Sequence, residues 1–241
     1  CVFISGKRGD FLVLEQVVAP YFETNCWILA PKPNSECIII DPGIADPNLV
    51  GPIKNVLESK NLKPVAVLLT HGHLDHTFSV VPLADGYGIP ALIHSKDRGA
   101  LINPYQVIMR GGPSEQIMKA LGVSKFVEPE KVTPLIGEEL LEFAGFKLKV
   151  THAPGHTAGS AMFTVDDAYL LSGDVLFAGS IGRTDMPSGS MSDMRKSLAE
   201  KILPLQDELI VLPGHGPQTT IAREKSKNPY LQSDFLASKE G

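Results

Sequence analysis

Short apolar, β-branched runs recur along the chain at 26–30, 37–40, 65–69, 91–93, 146–150, 161–165, 169–171 and 209–212, and each reads as a strand. Helical spacing falls between them. Asp46 is placed to cap a helix with Pro47 in its first turn, and Leu49, Ile53, Val56 and Leu57 then share one face. Ser190 or Ser192 caps a second, with Met194, Leu198 and Ile202 at four-residue spacing. A third spans 114–121 and is stopped by Gly122. Consecutive strands with helices interspersed predict a layered α/β architecture around a mixed sheet, not a regular doubly wound one.

The ends of the predicted strands carry the chemistry. The run 65–69 leads into His71, 146–150 leads through Pro154-Gly155 into His156, 169–171 into Asp174, and 209–212 into His215. Four strands therefore each deliver a candidate ligand just past a C-terminal end, the usual place for a site on an open α/β sheet.

Of seven histidines, three lie in the run His71-Gly72-His73-Leu74-Asp75-His76. In an extended or turn segment, residues two apart point the same way, so His71, His73 and Asp75 can face one side while His76 turns to an adjacent point. That arrangement suits two cations side by side. Imidazole and carboxylate suit zinc first, with iron or manganese as alternatives, and the lack of thiolates argues against a closed structural zinc site. A solvated histidine-rich turn is the competing reading for the run by itself; it weakens once His156, Asp174 and His215, each beside a glycine, are added.

Composition narrows the rest. The 241 residues are 43% hydrophobic and 20% charged, ordinary for a globular chain. Lys and Arg total 22 against 27 Asp and Glu, a net charge of -5, which speaks against a nucleic-acid partner. No apolar run approaches a membrane span and no secretory leader is visible, so no membrane partner is expected. Three unpaired-looking cysteines, Cys1, Cys26 and Cys37, suit a reducing, cytoplasmic setting. The chain opens on Cys1, not Met, which leaves its natural start open. No Gly-x-Ser-x-Gly elbow or other activated nucleophile is present, so a covalent acyl-enzyme is not expected.

Taken in order, His71-x-His73-x-Asp75-His76, His156, Asp174 and His215 resemble the metallo-β-lactamase superfamily, and within it the small bacterial glyoxalase II-like (hydroxyacylglutathione hydrolase-like) proteins. The resemblance runs over roughly residues 10 to 232. It implies an αββα sandwich with the metals at one edge between two mixed sheets. It also implies the division of ligands, which spacing alone leaves open: His71, His73 and His156 on the first metal, Asp75, His76 and His215 on the second, Asp174 bridging. Two divalent ions so held can share a hydroxide at neutral pH and polarise a carbonyl. The reaction implied is hydrolysis of a small-molecule thioester, with Asp75 both ligand and orienter of the nucleophile. Arg183, in Gly182-Arg183-Thr184-Asp185, matches a basic residue that binds the glutathione moiety; a surface pair with Asp185 is the alternative.

The chain departs from the longer glyoxalase II enzymes. Asp185 stands where they carry a Tyr, and the sequence stops soon after Asn228-Pro229-Tyr230-Leu231, so residues 1–241 are expected to form a single domain without their C-terminal helical domain. The thiol carrier therefore stays open. The rivals are a mononuclear-iron persulfide dioxygenase, which shares the 182–185 run, a lactonase, β-lactamase or phosphodiesterase, and a non-enzymatic metal-binding protein. Retention of Asp75, His76 and His215 favours two metals over one iron. His152 is expected to be a buried or outer hydrogen-bonding residue, His94 a strand end, and Asp41 either a turn residue or an orienter of the ligand loop.

Overall fold

The computed structural model describes residues 12–108, Gly122 and 124–238. The predicted helix at 114–121 lies outside the described residues. The first half of the chain supplies β1 (Val13–Val18), β2 (Asn25–Ala30), β3 (Glu36–Ile40), α1 (Val50–Lys60), β4 (Lys63–Leu68), α2 (Leu74–Thr77), α3 (Val80–Tyr87), β5 (Ala91–His94), α4 (Tyr105–Ile108) and β6 (Val132–Leu135). The second supplies β7 (Leu140–Phe143), β8 (Phe146–His152), β9 (Ala161–Val165), β10 (Tyr169–Gly173), α5 (Met191–Ser197), β11 (Ile210–Pro213), β12 (Thr219–Thr220), α6 (Ile221–Lys227) and α7 (Ser233–Ala237). The described strands form two six-stranded sheets, ordered β1-β2-β3-β4-β5-β6 and β12-β11-β10-β9-β8-β7. Both are mixed. β3 to β6 run parallel and β1 to β3 antiparallel in the first; only β10 and β11 pair in parallel in the second.

Period-2 alternation explains the layers. Trp27, Leu29, Ile38, Ile40, Ala66 and Leu68 point between the sheets, where Phe163, Val165, Leu171 and Leu212 meet them. Their neighbours Ile28, Ile39, Val67 and Ile93 point outward under Ile53 and Leu57 of α1 and Leu83 of α3. Met162, Leu170 and Val211 point outward from the second sheet under Met194, Leu198, Ile202 and Ile221. Strands buried on both faces must be apolar at nearly every position, which is why these runs stood out. The αββα sandwich is the expected one.

All eight expected strands are present. The four additional ones, β1, β6, β7 and β12, are the outermost strands of the two sheets. Edge strands are half-exposed: β7 alternates exposed and partly buried positions, and β6 carries Pro134 where no full ladder is needed. They therefore lack a continuous apolar run.

The α1 start needs correcting. The helix begins at Val50, not beside Asp46-Pro47, because Asn48 Oδ1 accepts the Val50 N–H at 3.0 Å and Ser79 Oγ accepts the Leu49 N–H at 2.8 Å. Asn48 and a distant serine thus anchor the helix start where local spacing assigned a cap to Asp46, and the N-cap residue Leu49 makes no side-chain cap bond. Of the two capping candidates at α5, Ser190 is the one used, accepting the Asp193 N–H; the helix then continues through a wider turn over Leu198–Ile202. Met194, Leu198 and Ile202 are fully buried.

Candidate metal centre

Four strand ends bring the seven predicted side chains to one edge of the sandwich. The 70–76 loop follows β4, His156 follows β8, Asp174 follows β10 and His215 follows β11. The β11 loop is tied across the sheets to the start of β2. Trp27 Nε1 and Asn25 Nδ2 both donate to Pro213 O at 3.0 Å, and the Asn25 N–H donates to Gly214 O at 2.7 Å. Thr24 bridges His215 backbone to backbone.

Among the described residues three donor groups result: His71, His73 and His156; His71, His76 and Asp174; Asp75, His76 and His215, the donor atoms in each lying within 4.8 Å of one another. His71 Nε2 lies 3.0 Å from His73 Nδ1 and 3.2 Å from His156 Nε2. His76 Nε2 lies 3.1 Å from His215 Nε2, and Asp75 Oδ2 is 3.3 Å from the latter. Asp174 spans both halves, with Oδ2 at 3.4 Å from His156 Nε2 and Oδ1 at 3.4 Å from His76 Nε2.

The outer nitrogen of each buried ring fixes what its inner nitrogen offers. His73 Nε2 meets Val107 O at 3.0 Å and His156 Nδ1 meets Arg183 O at 2.7 Å; carbonyls only accept, so both rings carry their proton outward. Thr70 Oγ1 donates to Asp41 Oδ2 at 2.6 Å and is left to accept from His71 Nδ1 at 3.0 Å. Three inner lone pairs thus converge at hydrogen-bonding distance with no proton between them, while Asp174 Oδ1 is buried without a hydrogen-bond partner. A cation among the three nitrogens would satisfy them, and one beside His76 would satisfy Asp174 Oδ1, so this donor set fits metal ions.

Electrostatics agree. Burial, reinforced by the neighbouring rings, drives the His71 imidazole well below its ordinary value and that of His156 to about 3, so both are neutral at physiological pH, as a metal-binding imidazole must be. Burial also disfavours charge on His76, but Asp174, Asp75 and Asp41 outweigh it and lift the ring to about 10. Burial raises the Asp174 carboxyl to about 6 despite His76 and His215. The second half of the cluster is therefore anionic enough to hold a proton on His76, the charge that a bound cation replaces.

Two outer carboxylates organise the loops. Asp41 accepts from Thr70 N at 2.8 Å, from Thr70 Oγ1 and from His76 Nδ1 at 3.0 Å, so it orients two ligand rings as well as shaping its turn. Asp97 accepts from Gly72 N at 2.8 Å, Thr157 Oγ1 at 2.6 Å and Gly159 N at 2.8 Å, joining the 71–76 loop to the His156 loop. Sequence reading missed Asp97, and no local signal marks it: its partners lie 25 to 62 residues away. Gly214 is required by close approach, since a Cβ there would run into Asp174 Oδ1 and lie 2.7 Å from His76 Cε1.

The other candidates sit outside the cluster. His152 donates to Ala158 O at 2.9 Å and stacks on His94 with ring centroids 4.1 Å apart, both in the outer roles expected. Arg183 contributes its carbonyl to His156, while its exposed guanidinium holds Asp185 bidentate at 2.7 Å, the surface pair named as the alternative. Cys26 and Cys37 are free and buried on the helix side of the first sheet, and neither belongs to a donor group. No helix among the described residues is long and apolar enough to cross a membrane.

Comparison with known proteins agrees with this geometry. The sequence profile of the Metallo-beta-lactamase superfamily matches residues 19–215. Hydroxyacylglutathione hydrolase GloC of Haemophilus influenzae is 34% identical over 91% of this chain and 98% of its own length. Among solved structures, the BLEG-1 B3 metallo-beta-lactamase superposes with a TM-score of 0.76 at 34% identity, covering 92% of this chain and all of the other (100%). TTHA1623, solved in a di-iron-bound form, gives 0.69 at 31% identity, covering 90% of this chain and 100% of its own.

Proposed function

Because the chain belongs to the metallo-beta-lactamase superfamily, whose members are generally hydrolases, we propose that it is a two-metal hydrolase of small-molecule thioesters, hydroxyacyl conjugates of glutathione or a related thiol being the first candidates. One observation carries the two-metal reading: Asp174 reaches both halves of the cluster, its two oxygens each 3.4 Å from a ring nitrogen of a different half. His71, His73 and His156 would hold one ion, Asp75, His76 and His215 the other. Bound there, the metals supply Lewis acidity toward water and toward a substrate carbonyl.

The chain's own groups do the rest. The Asp75 side chain is partly open to solvent and its Oδ2 accepts from Thr24 Oγ1 at 3.1 Å, which would fix the carboxylate to orient the proton of an incoming water. Thr70, Asp41, Val107 and the Arg183 carbonyl keep the ligand rings in the required tautomers. A thiol with an ordinary pKa near ~8.5 leaves as thiolate without help, so no separate general acid is needed. Similarity to GloC supports the thioester class. Arg183 is the candidate contact for a substrate carboxylate, and to take one it must release Asp185. Free buried thiols and a net charge of -5 accord with a cytoplasmic enzyme that has no nucleic-acid or membrane partner.

A second reading, β-lactam hydrolysis, is favoured by the likeness to BLEG-1. One experiment decides: metal analysis of the purified chain, paired with turnover of S-lactoylglutathione, a β-lactam, and glutathione persulfide with oxygen monitored. Two metals per chain and thioester cleavage are expected. Full metal loading with β-lactam but no thioester hydrolysis, or a single iron with rapid oxygen uptake, overturns the assignment.

A further inference from the structure

Glu224 is a charged side chain with no exposure at all, on a helix remote in sequence from every candidate ligand loop but the one after β11. A buried carboxylate is costly unless donors surround it, and an apolar residue would fill the same space more cheaply. Its donors are specific. Oε1 accepts from Thr219 Oγ1 and, at 2.7 Å, from Arg223 Nη1; Oε2 accepts from the Gly179 N–H at 2.7 Å and from Asn228 Nδ2 at 2.9 Å. Asn228 Nδ2 also donates to Ser180 O at 3.0 Å and reaches Phe177 O at 3.4 Å.

The Gly179 and Asn228 bonds grip one tight turn, Phe177-Ala178-Gly179-Ser180, closed on itself by Phe177 N–H to Ser180 O at 3.0 Å, while Thr219 and Arg223 hold Glu224 itself. Gly179 adopts a φ of 76°, which leaves its N–H turned toward Glu224. The turn begins three residues after Asp174, and its half-buried Phe177 ring stands edge-on to the His215 imidazole, centroids 5.9 Å apart at 90°. An aromatic face at the rim of a polar cluster is held there from behind by a buried anion.

We propose that Phe177 is the apolar wall that selects the acyl group of the substrate, and that Glu224 and Asn228 are the positioning residues that hold it against His215. The inference rests on the hydrolase reading given above. Glu224→Gln keeps the shape but can present only one accepting oxygen, so its amide group meets a donor at Gly179 and Asn228 or at Thr219 and Arg223. The turn loosens and the wall is displaced.

The test uses two thioesters that share thiol and 2-hydroxyacyl head but end in phenyl or methyl, S-mandeloylglutathione and S-lactoylglutathione. In Phe177→Ala the ratio of kcat/KM for the phenyl over the methyl substrate should fall about fivefold, the weight of one aromatic contact, mostly through KM. Glu224→Gln should lower the ratio in the same direction, and the double variant should fall no further than Phe177→Ala alone. Asn228→Ala, which leaves the Glu224 to Gly179 bond in place, carries the same test if Glu224→Gln does not fold. A ratio unchanged in Phe177→Ala, or a Glu224→Gln effect equal on both substrates and additive with Phe177→Ala, overturns the proposal. Should the wild-type chain cleave neither thioester, the thioesterase reading fails separately, and the same ratio is read on two β-lactams whose side chains end in phenyl or methyl.

Discussion

Replacing Asp41 by asparagine changes one atom yet leaves three donors with the wrong partner set. Asp41 Oδ1 accepts the Thr70 N–H at 2.8 Å, and Oδ2 accepts Thr70 Oγ1 at 2.6 Å and His76 Nδ1 at 3.0 Å. If the asparagine carbonyl faces Thr70 N–H, its amide nitrogen faces His76 Nδ1, donor against donor. With metal bound, His76 must keep Nε2 free, since that nitrogen points into the cluster 3.1 Å from His215 Nε2, and so must hold its one proton on Nδ1, against the amide. Loss of such an outer partner lowers metal affinity about 10- to 100-fold, roughly 1.4 to 2.8 kcal/mol. The opposite amide orientation relieves His76 but sets NH2 against the buried Thr70 N–H, at about 1–3 kcal/mol of folding stability. Chelator-competition titration of both sites, with thermal unfolding of the metal-free protein, reads the two costs. Asp41→Asn should weaken the Asp75, His76 and His215 site more than the His71, His73 and His156 site, which Asp41 reaches only through Thr70. Wild-type metal affinity together with an unchanged Tm would refute the reasoning.

Gly214→Ala should lower metal affinity roughly tenfold or more, because the added methyl intrudes on Asp174 Oδ1 and His76; an unaffected metal titration contradicts the close approach. Trp27→Phe removes the indole bond to Pro213 O and should cost about 1–2 kcal/mol in urea unfolding, and a smaller shift than ~0.5 kcal/mol means the cross-sheet tie carries little. Metal-free protein should lose stability as pH falls from about 6.5 toward 3: His156 is held down to about 3 when folded, so across that window the unfolded chain binds a proton that the folded chain refuses. Burial of His71 acts in the same sense, and a urea midpoint that rises on acidification would show the sign to be wrong. His71→Ala and Asp174→Ala should each abolish hydrolysis while far-ultraviolet circular dichroism stays as in wild type, since both residues lie beyond strand ends; retained turnover would remove them from the ligand set.

The interior of the sandwich is written in the chain because its central strands are buried on both faces. The runs at 26–30, 37–40, 65–69 and 161–165 are apolar at almost every position, and no solvated element tolerates that. The candidate cluster is equally legible. Histidine and aspartate beside glycine, just past four such runs, have few other uses, and the structure brings all seven to one edge. The edge strands β1, β6, β7 and β12 were not legible, since a strand that buries only part of one face has no distinctive run.

What tertiary structure alone decided is who stands behind the ligands. Asp97, Thr24, Ser79 and Glu224 act on residues 25 to 62 positions away in the cases of Asp97, Thr24 and Glu224, and 30 and 36 away for Ser79. Hydrogen bonds of that span leave no periodicity or spacing for a sequence to show. A carboxylate on a surface turn and one buried beneath a metal loop are the same letter; only the packing that strips water from Asp41, Asp97 and Glu224 turns each into an acceptor that fixes a ring, a loop or an aromatic wall. That Asp174 lands between His156 and His76 was decided in the same way, because its position is set by sheet order and not by the distance of these residues along the chain.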